Sequence, residues 1–225
     1  IIHFDEINST NKYVKENYEI LENFSFVSAS FQTNGKGRED RTWISSENEN
    51  LLFSFLIKDK RLLENYKALS IGTATLIARF LEEMGLGNVM VKWPNDVYVN
   101  DKKICGILLQ GQLPNFFVVG FGINVNQTTF NGEYRTTPTS IAIELKTGQD
   151  IDLIKRKVFK ELEQMPKHLD EYIKLAQEND YLLGKKIKYK GHIAECLGIS
   201  EDCSLKVKIN DSIINISSGE MSPIK

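Results

Sequence analysis

Apolar residues follow two rhythms along this chain. From Tyr66 they recur at Tyr66, Leu69, Leu76, Ile77, Phe80, Leu81 and Met84, with Thr73 on the same stripe. Steps of three and four trace one face of an amphipathic helix, which Gly85 ends. The stripe returns at Ile154, Val158, Leu162, Met165, Leu169, Tyr172, Ile173 and Ala176. That predicts a long helix from Asp150 or Asp152, which Pro166 should kink or split. Shorter helices are expected behind Asn8 or Ser9, with Tyr13, Val14 and Tyr18 at helical spacing, and from Ile141 to Lys146 behind Thr139 or Ser140. Each of these starts offers a side chain suited to an N-cap.

The second rhythm is short apolar runs: Ile2–Phe4, Phe24–Phe31, Leu51–Ile57, Val89–Val91, Val97–Val99, Lys103–Leu109 and Phe116–Phe121. These read as strands, and Asn100-Asp101 between two of them reads as the tight turn of a hairpin. Near Asp180 the composition changes. A basic stretch, Gly184 to Lys190, precedes Ile193–Ile199, Leu205–Ile209 and Ile213–Ile216, separated by polar turns. Four short strands in so little chain predict a small SH3-like barrel. The chain is therefore divided into residues 1–182 and 183–225.

Alternation along the second hairpin arm places Lys103 with Cys105, Ile107 and Leu109, and Gly106 with Ile104, Leu108 and Gln110. A lysine on an apolar face needs an anionic partner or an exit to water. It either snorkels from the start of the strand or neutralises an anion bound in a pocket.

Other chemistry lies in the segments between strands. Gln32 to Trp43 carries Gly35 and Gly37, the cations Lys36, Arg38 and Arg41, and the acids Glu39 and Asp40. Glycine allows backbone to approach a ligand closely. Successive loop amides can cradle an anion, and arginine adds a planar fork. The segment is either a phosphate-directed loop or a flexible, soluble one. It is not a P-loop, and no G-x-G-x-x-G opens a helix. Lys92-Trp93-Pro94-Asn95-Asp96 is a turn with a buried tryptophan, or a pocket wall with a polar rim. Gly120-Phe121-Gly122-Ile123-Asn124-Val125-Asn126 follows an apolar run, with two glycines expected at a strand end.

Composition narrows the class. In 225 residues, 41% hydrophobic and 26% charged content suit a soluble globular protein. Net charge is −2, so any phosphate site must be local rather than a global field. Cys105, Cys196 and Cys203 form no CxxC pair and no zinc pattern, which favours a reducing compartment. No apolar stretch reaches membrane-spanning length and no signal peptide opens the chain, so the expected location is the cytoplasm. The chain begins at Ile1 rather than Met. Lys185 to Lys190 either touches nucleic acid or forms the solvated face of a strand.

Taken in order, Ser9-Thr10-Asn11, Gly35-Lys36-Gly37-Arg38 through Trp43, Lys92-Trp93-Pro94-Asn95-Asp96, Lys103 to Gln110, and Gly120 to Asn126 closely resemble the biotin protein ligases, in a form without the N-terminal DNA-binding domain. The resemblance covers essentially the whole chain. It implies an α/β (α+β) fold: a mixed sheet flanked by helices, like the catalytic domain of class II aminoacyl-tRNA synthetases, plus the small C-terminal barrel. It implies that biotin and Mg²⁺-ATP form biotinyl-5′-AMP, and that the acyl group passes to a lysine of a biotin carboxyl carrier domain of acetyl-CoA carboxylase or another biotin-dependent carboxylase. A homodimer is left open; DNA and membrane partners are not expected, nor is a metal ligated by the protein.

The resemblance also assigns residues. Lys103, Arg38 and Asp96 match catalytic positions. Ser9, Thr10, Asn11, Gln32 and Gly106 match the biotin site, together with Gly35, Lys36, Gly37, Arg38 and Lys103. Lys36, Arg38, Arg41, Trp43, Asn95, Lys103 and Asn124 match the ATP and adenylate site, and Trp93 matches a pocket-lining position. Lys36 stands where an arginine is commoner, which keeps the charge and loses the bidentate fork. A ligase for a related acyl group such as lipoate is the first alternative, and a nucleic-acid-binding module the second.

Overall fold

The computed structural model describes residues 1–39 and 41–224, so Asp40, counted above among the loop acids, lies outside the described residues. Seven strands form one mixed sheet: β1 (Ile2–Ile7), β2 (Phe26–Gln32), β3 (Asn50–Ile57), β4 (Val89–Lys92), β5 (Asp96–Val99), β6 (Lys102–Gln112) and β7 (Phe116–Asn124). Their spatial order is β1-β2-β3-β7-β6-β5-β4. The β1–β2 pair is parallel and the other neighbouring pairs are antiparallel.

Helices cover both faces. β3 is buried along its whole length, which is why it reads as an unbroken apolar run and not as an alternation. Leu51, Phe53, Phe55 and Ile57 join the main core under α3 (Tyr66–Glu83) and α5 (Ile151–Glu178). Leu56 joins a second cluster with Val14 of α1 (Thr10–Glu16) and Val27, Phe116 and Val118. Fully burying one such side chain contributes about 1.5–3 kcal/mol.

Pro166 does not split its helix: α5 runs unbroken from Ile151 to Glu178. Proline lacks the N–H that would reach the Leu162 carbonyl. Burial of Leu162, Met165, Leu169 and Tyr172 on either side carries the helix through. A helix that periodicity did not reveal, α2 (Lys60–Glu64), starts at Asp59, whose side chain accepts from the Leu62 amide. At five residues it is too short to show a stripe. α4 (Ile141–Leu145) starts at Ser140, whose side chain accepts from the Ile143 amide.

β8 (Lys186–Tyr189), β9 (His192–Ile199), β10 (Leu205–Ile209) and β11 (Ser212–Ile216) form a second, antiparallel sheet in the order β11-β10-β9-β8. Ile187, Ala194, Cys196 and Val207 face inward and join the main core, while Lys186, Lys188, Lys206 and Lys208 stand exposed. Ile187 also bridges to Pro223, bringing the C-terminal tail back across β8. Among the described residues no helix is long and apolar enough to cross a membrane.

Candidate functional site

A cavity of about 390 Å³ opens above β3, β6 and β7, between the N-terminus of α1, the 33–43 loop, the β4–β5 turn and the 130–138 loop. Its floor is glycine. Gly106 and Gly122 pair directly across β6 and β7, and the Trp43 indole lies on that pair. A Cβ at Gly122 would stand 2.5 Å from Trp43 Nε1, and one at Gly106 would stand 2.9 Å from Trp43 Cζ3. Gly120 and Gly122 were expected at a strand end; β7 continues to Asn124, so they lie inside a strand, as Gly106 does in β6. They make room there for side chains crossing the sheet.

One end of the cavity is neutral and polar. Ser9 starts α1, its side chain accepting from the Lys12 amide. Thr10 donates through its amide and its hydroxyl to Gln32 Oε1, at 2.7 and 3.0 Å. Asn11 donates to Gln110 Oε1 at 3.1 Å. Ser54 Oγ lies 2.7 Å from Thr10 Oγ1 and 2.6 Å from Asn11 Oδ1. A hydroxyl has one proton, so it serves one of these acceptors at a time. Ser54 escaped the sequence reading, although a hydroxyl inside an otherwise apolar strand was the available signal.

The other end is charged. Lys103 Nζ lies 2.7 Å from Asp96 Oδ1. Alternation had placed Lys103 with Cys105 and Ile107. A bulge corrects this, because Val97 pairs with Cys105 but Tyr98 pairs with Lys103. The extra residue breaks the alternation, and the lysine lies over Gly106, where a Cβ would be 3.1 Å from Lys103 Cε. Both Lys103 main-chain groups are also fixed, donating to Thr137 O and accepting from Thr139 N, each at 2.9 Å. Arg38 donates to Asn95 Oδ1 at 3.2 Å, and Asn95 in turn donates to Ile107 O.

Arg41 forms two hydrogen bonds to Glu220, at 3.1 and 2.6 Å, and Arg135 adds a third at 2.9 Å. Burial pushes the Glu220 carboxyl up, but the two arginines outweigh it and hold the carboxyl below its usual range. Its hydrogen bond to Arg41 raises that guanidinium further. Nothing in the sequence marked Glu220 or Arg135: they are single charges in polar segments, joined to Arg41 only by the fold.

The expected residues Ser9, Thr10, Asn11, Gln32, Lys36 and Gly37 line this one cavity. So do Arg38, Arg41, Trp43, Asn95, Asp96, Lys103, Gly106 and Asn124. Gly35 does not line it. Its carbonyl accepts from the Trp43 amide at 2.9 Å, and a Cβ there would meet Trp43 O at 2.5 Å. Trp93, expected in the pocket wall, is absent from the lining as well. It is 2% exposed and donates from Nε1 to Cys203 O at 2.9 Å, tying the β4–β5 turn to the small sheet. Asn126 turns away and holds the backbone of Gln149.

Residues 3–127 match the model of the Biotin/lipoate A/B protein ligase family. The chain is 32% identical over 160 residues to the bifunctional ligase/repressor BirA of Bacillus subtilis, covering 68% of this chain and 48% of that protein. It is 35% identical over 127 residues to BirA of Escherichia coli, covering 53% and 38%. The chain thus spans about half the length, or less, of these curated relatives. A solved biotin protein ligase from Aquifex aeolicus, in complex with biotin and ATP, superposes with a TM-score of 0.86 at 30% identity, covering 98% of this chain and 97% of that one.

Proposed function

The chain belongs to the Biotin/lipoate A/B protein ligase family, and we propose from this premise that it is an ATP-dependent biotin ligase acting on a carrier-protein lysine. One observation carries the reading. Arg38 and Lys103, from segments far apart in sequence, face the same glycine-floored cavity with Trp43. Joining a carboxylate to a triphosphate brings two anions together, so preorganised cations at the meeting point are what the reaction requires.

In the first step a biotin carboxylate oxygen attacks the α-phosphorus of ATP, and pyrophosphate leaves with the electron pair of the broken P–O bond. Lys103, Arg38 and Lys36 offset charge on the reacting phosphate, and Arg41 and Arg135 lie along the same wall. The ureido group of biotin offers one carbonyl and two N–H groups. Asn11 Oδ1 and Thr10 Oγ1, sharing one Ser54 proton, leave acceptor capacity for those donors. Magnesium enters as the counter-ion carried by the triphosphate.

In the second step the amine of a carrier lysine attacks the acyl carbon of biotinyl-5′-AMP, and AMP leaves. Asp96, buried in the cavity lining beside Lys103, receives the incoming ammonium and accepts its proton. The partner is a biotin carboxyl carrier domain. The three buried free thiols suit work in the reducing cytoplasm. We keep the division at 182/183, where the large sheet and its helices give way to the small sheet.

The test is transfer of labelled biotin to a carrier domain with and without ATP. ATP-dependent labelling of the carrier is expected, and no labelling in the presence of ATP overturns the reading. Titration with lipoate separates the two acyl substrates in the family's name; tighter binding of lipoate than of biotin reverses the choice.

A further inference from the structure

The β4–β5 hairpin buries a lysine that the reaction above leaves without a task. Lys92 is 3% exposed, and its ammonium donates to Tyr98 Oη at 3.1 Å. A buried ammonium with no counter-charge is costly. Its cross-strand partner is Asp96. Residues so opposed hold their Cβ atoms about 4.5–5.5 Å apart. Paired residues share a face of the sheet. Lys92, Asp96 and Tyr98 and, through the bulge, Lys103 therefore all lie on one face, Lys103 lining the cavity and Lys92 buried beside it.

The two lysines cannot serve Asp96 in the same way through both half-reactions, an argument that rests on the proposed ligase reading. Once Lys103 turns to the phosphate, Asp96 loses its 2.7 Å partner. The transfer step then needs Asp96 as a carboxylate. We propose that Lys92 is a positioning residue for transfer: a fixed positive charge across the strand pair that holds the Asp96 carboxylate in place while Lys103 serves the adenylate. The carrier ammonium gives one proton to Asp96. Its freed lone pair forms the C–N bond at the acyl carbon. The acyl C–O bond breaks with its electron pair going to AMP, whose phosphate takes the second proton from the nitrogen, and Asp96 passes the first to water.

The groups around this pair, among the described residues, come from several elements. Lys92 is faced by Asp96 and Tyr98 on β5, Lys103 on β6, Arg135 in the 130–138 loop and Glu220 in the tail. Asp96 is faced by Lys92, Lys103, Arg41 and Tyr98, and the buried thiol of Cys105 lies on the opposite face of the sheet. Burial pulls the Lys92 ammonium down from its usual range, and Asp96 opposes that shift. Burial raises the Tyr98 hydroxyl, which stays protonated and carries the link on to Thr136 Oγ1 at 3.0 Å.

The experiment measures the half-reactions separately in the full chain with biotin, ATP and a carrier domain. Pyrophosphate release reads the first, and single-turnover transfer from preloaded adenylate reads the second across a pH series. Lys92→Met and Lys92→Gln are expected to form adenylate within about twofold of wild type. They are expected to transfer about tenfold more slowly or worse, with the acid limb displaced to higher pH. Tyr98→Phe keeps the cation and should leave that limb in place. Equal losses in both half-reactions, unimpaired transfer, or a limb moved as far by Tyr98→Phe as by Lys92→Met overturn the proposal. If neither Lys92 variant folds, Lys92→Arg, which keeps the cation, decides: transfer within about twofold of wild type supports the counter-charge, and a roughly tenfold loss with adenylate formation intact overturns it. Failure of wild-type protein to biotinylate the carrier at all strikes instead at the proposed function.

Discussion

Gly120 leaves the space that the Asn11 side chain occupies: a Cβ built on Gly120 falls inside Asn11 Oδ1. Helix α1 and strand β7 meet through this missing methyl. Gly120→Ala therefore drives Asn11 away from Ser54 and Gln110. Overpacking of this kind costs about 1–3 kcal/mol, so biotin affinity should fall roughly tenfold or more. Isothermal titration with biotin checks this; an unchanged affinity contradicts the placement of Asn11 in the biotin site.

Lys103→Ala should keep the fold, since the side chain is partly exposed and its backbone is paired on both sides. Loss of one preorganised charge at a developing anion costs about 10²–10³ in rate. Biotin-dependent pyrophosphate release should drop by that order with the circular dichroism spectrum unchanged. Normal release would refute the assigned role.

Lys36→Ala removes a cation from the loop that covers the cavity. The variant should release more free biotinyl-5′-AMP into solution than wild type, measured by chromatography of the filtrate. Equal leakage counts against an adenylate-retaining role.

Trp93→Phe deletes the hydrogen bond to Cys203 O and leaves that carbonyl without its donor. An unsatisfied buried group costs about 1–3 kcal/mol. For a chain of this size the thermal midpoint should fall by roughly 2–4 °C per kcal/mol. Adenylate formation below the transition should persist, because the indole does not line the cavity.

Asp180 sits where β4 meets the small sheet, bridged to Val91 and almost fully buried. Burial pushes its carboxyl up to about 6, against an ordinary value of 3.8. The folded chain thus holds this proton more tightly than the unfolded one. Stability from this group is fully present below the unfolded value and is lost as pH rises through about 6. Asp180→Asn should stabilise the protein by roughly 2–3 kcal/mol at neutral pH and by much less near pH 4, read from urea unfolding at both values. Equal effects at the two pH values contradict the linkage.

How much was legible in the sequence varied with the kind of signal. The stripes of α3 and α5 and the runs of β3 and β7 are long, and their burial follows from composition. The cations of the 33–43 loop, Lys103 and the glycines of β7 were visible as residue types, and their convergence required only the fold. The β6 bulge was not visible, because Ile104 and Cys105 are both apolar and suit either register. The direction of Trp93 was hidden for a related reason: a tryptophan beside a polar turn suits a pocket wall and a sheet junction equally well. Pro166 did not split α5, because packing on both sides overrode the local propensity. Glu220 reaches Arg41 across nearly the whole chain, a distance that no local pattern encodes.

Biotin-dependent exchange of labelled pyrophosphate into ATP tests the shared cavity most directly, since it needs both anions in one site and no carrier protein. The account predicts exchange by the purified chain that requires biotin and is lost in Lys103→Ala and in Arg38→Ala. Exchange that proceeds without biotin, or that survives both substitutions, would contradict it.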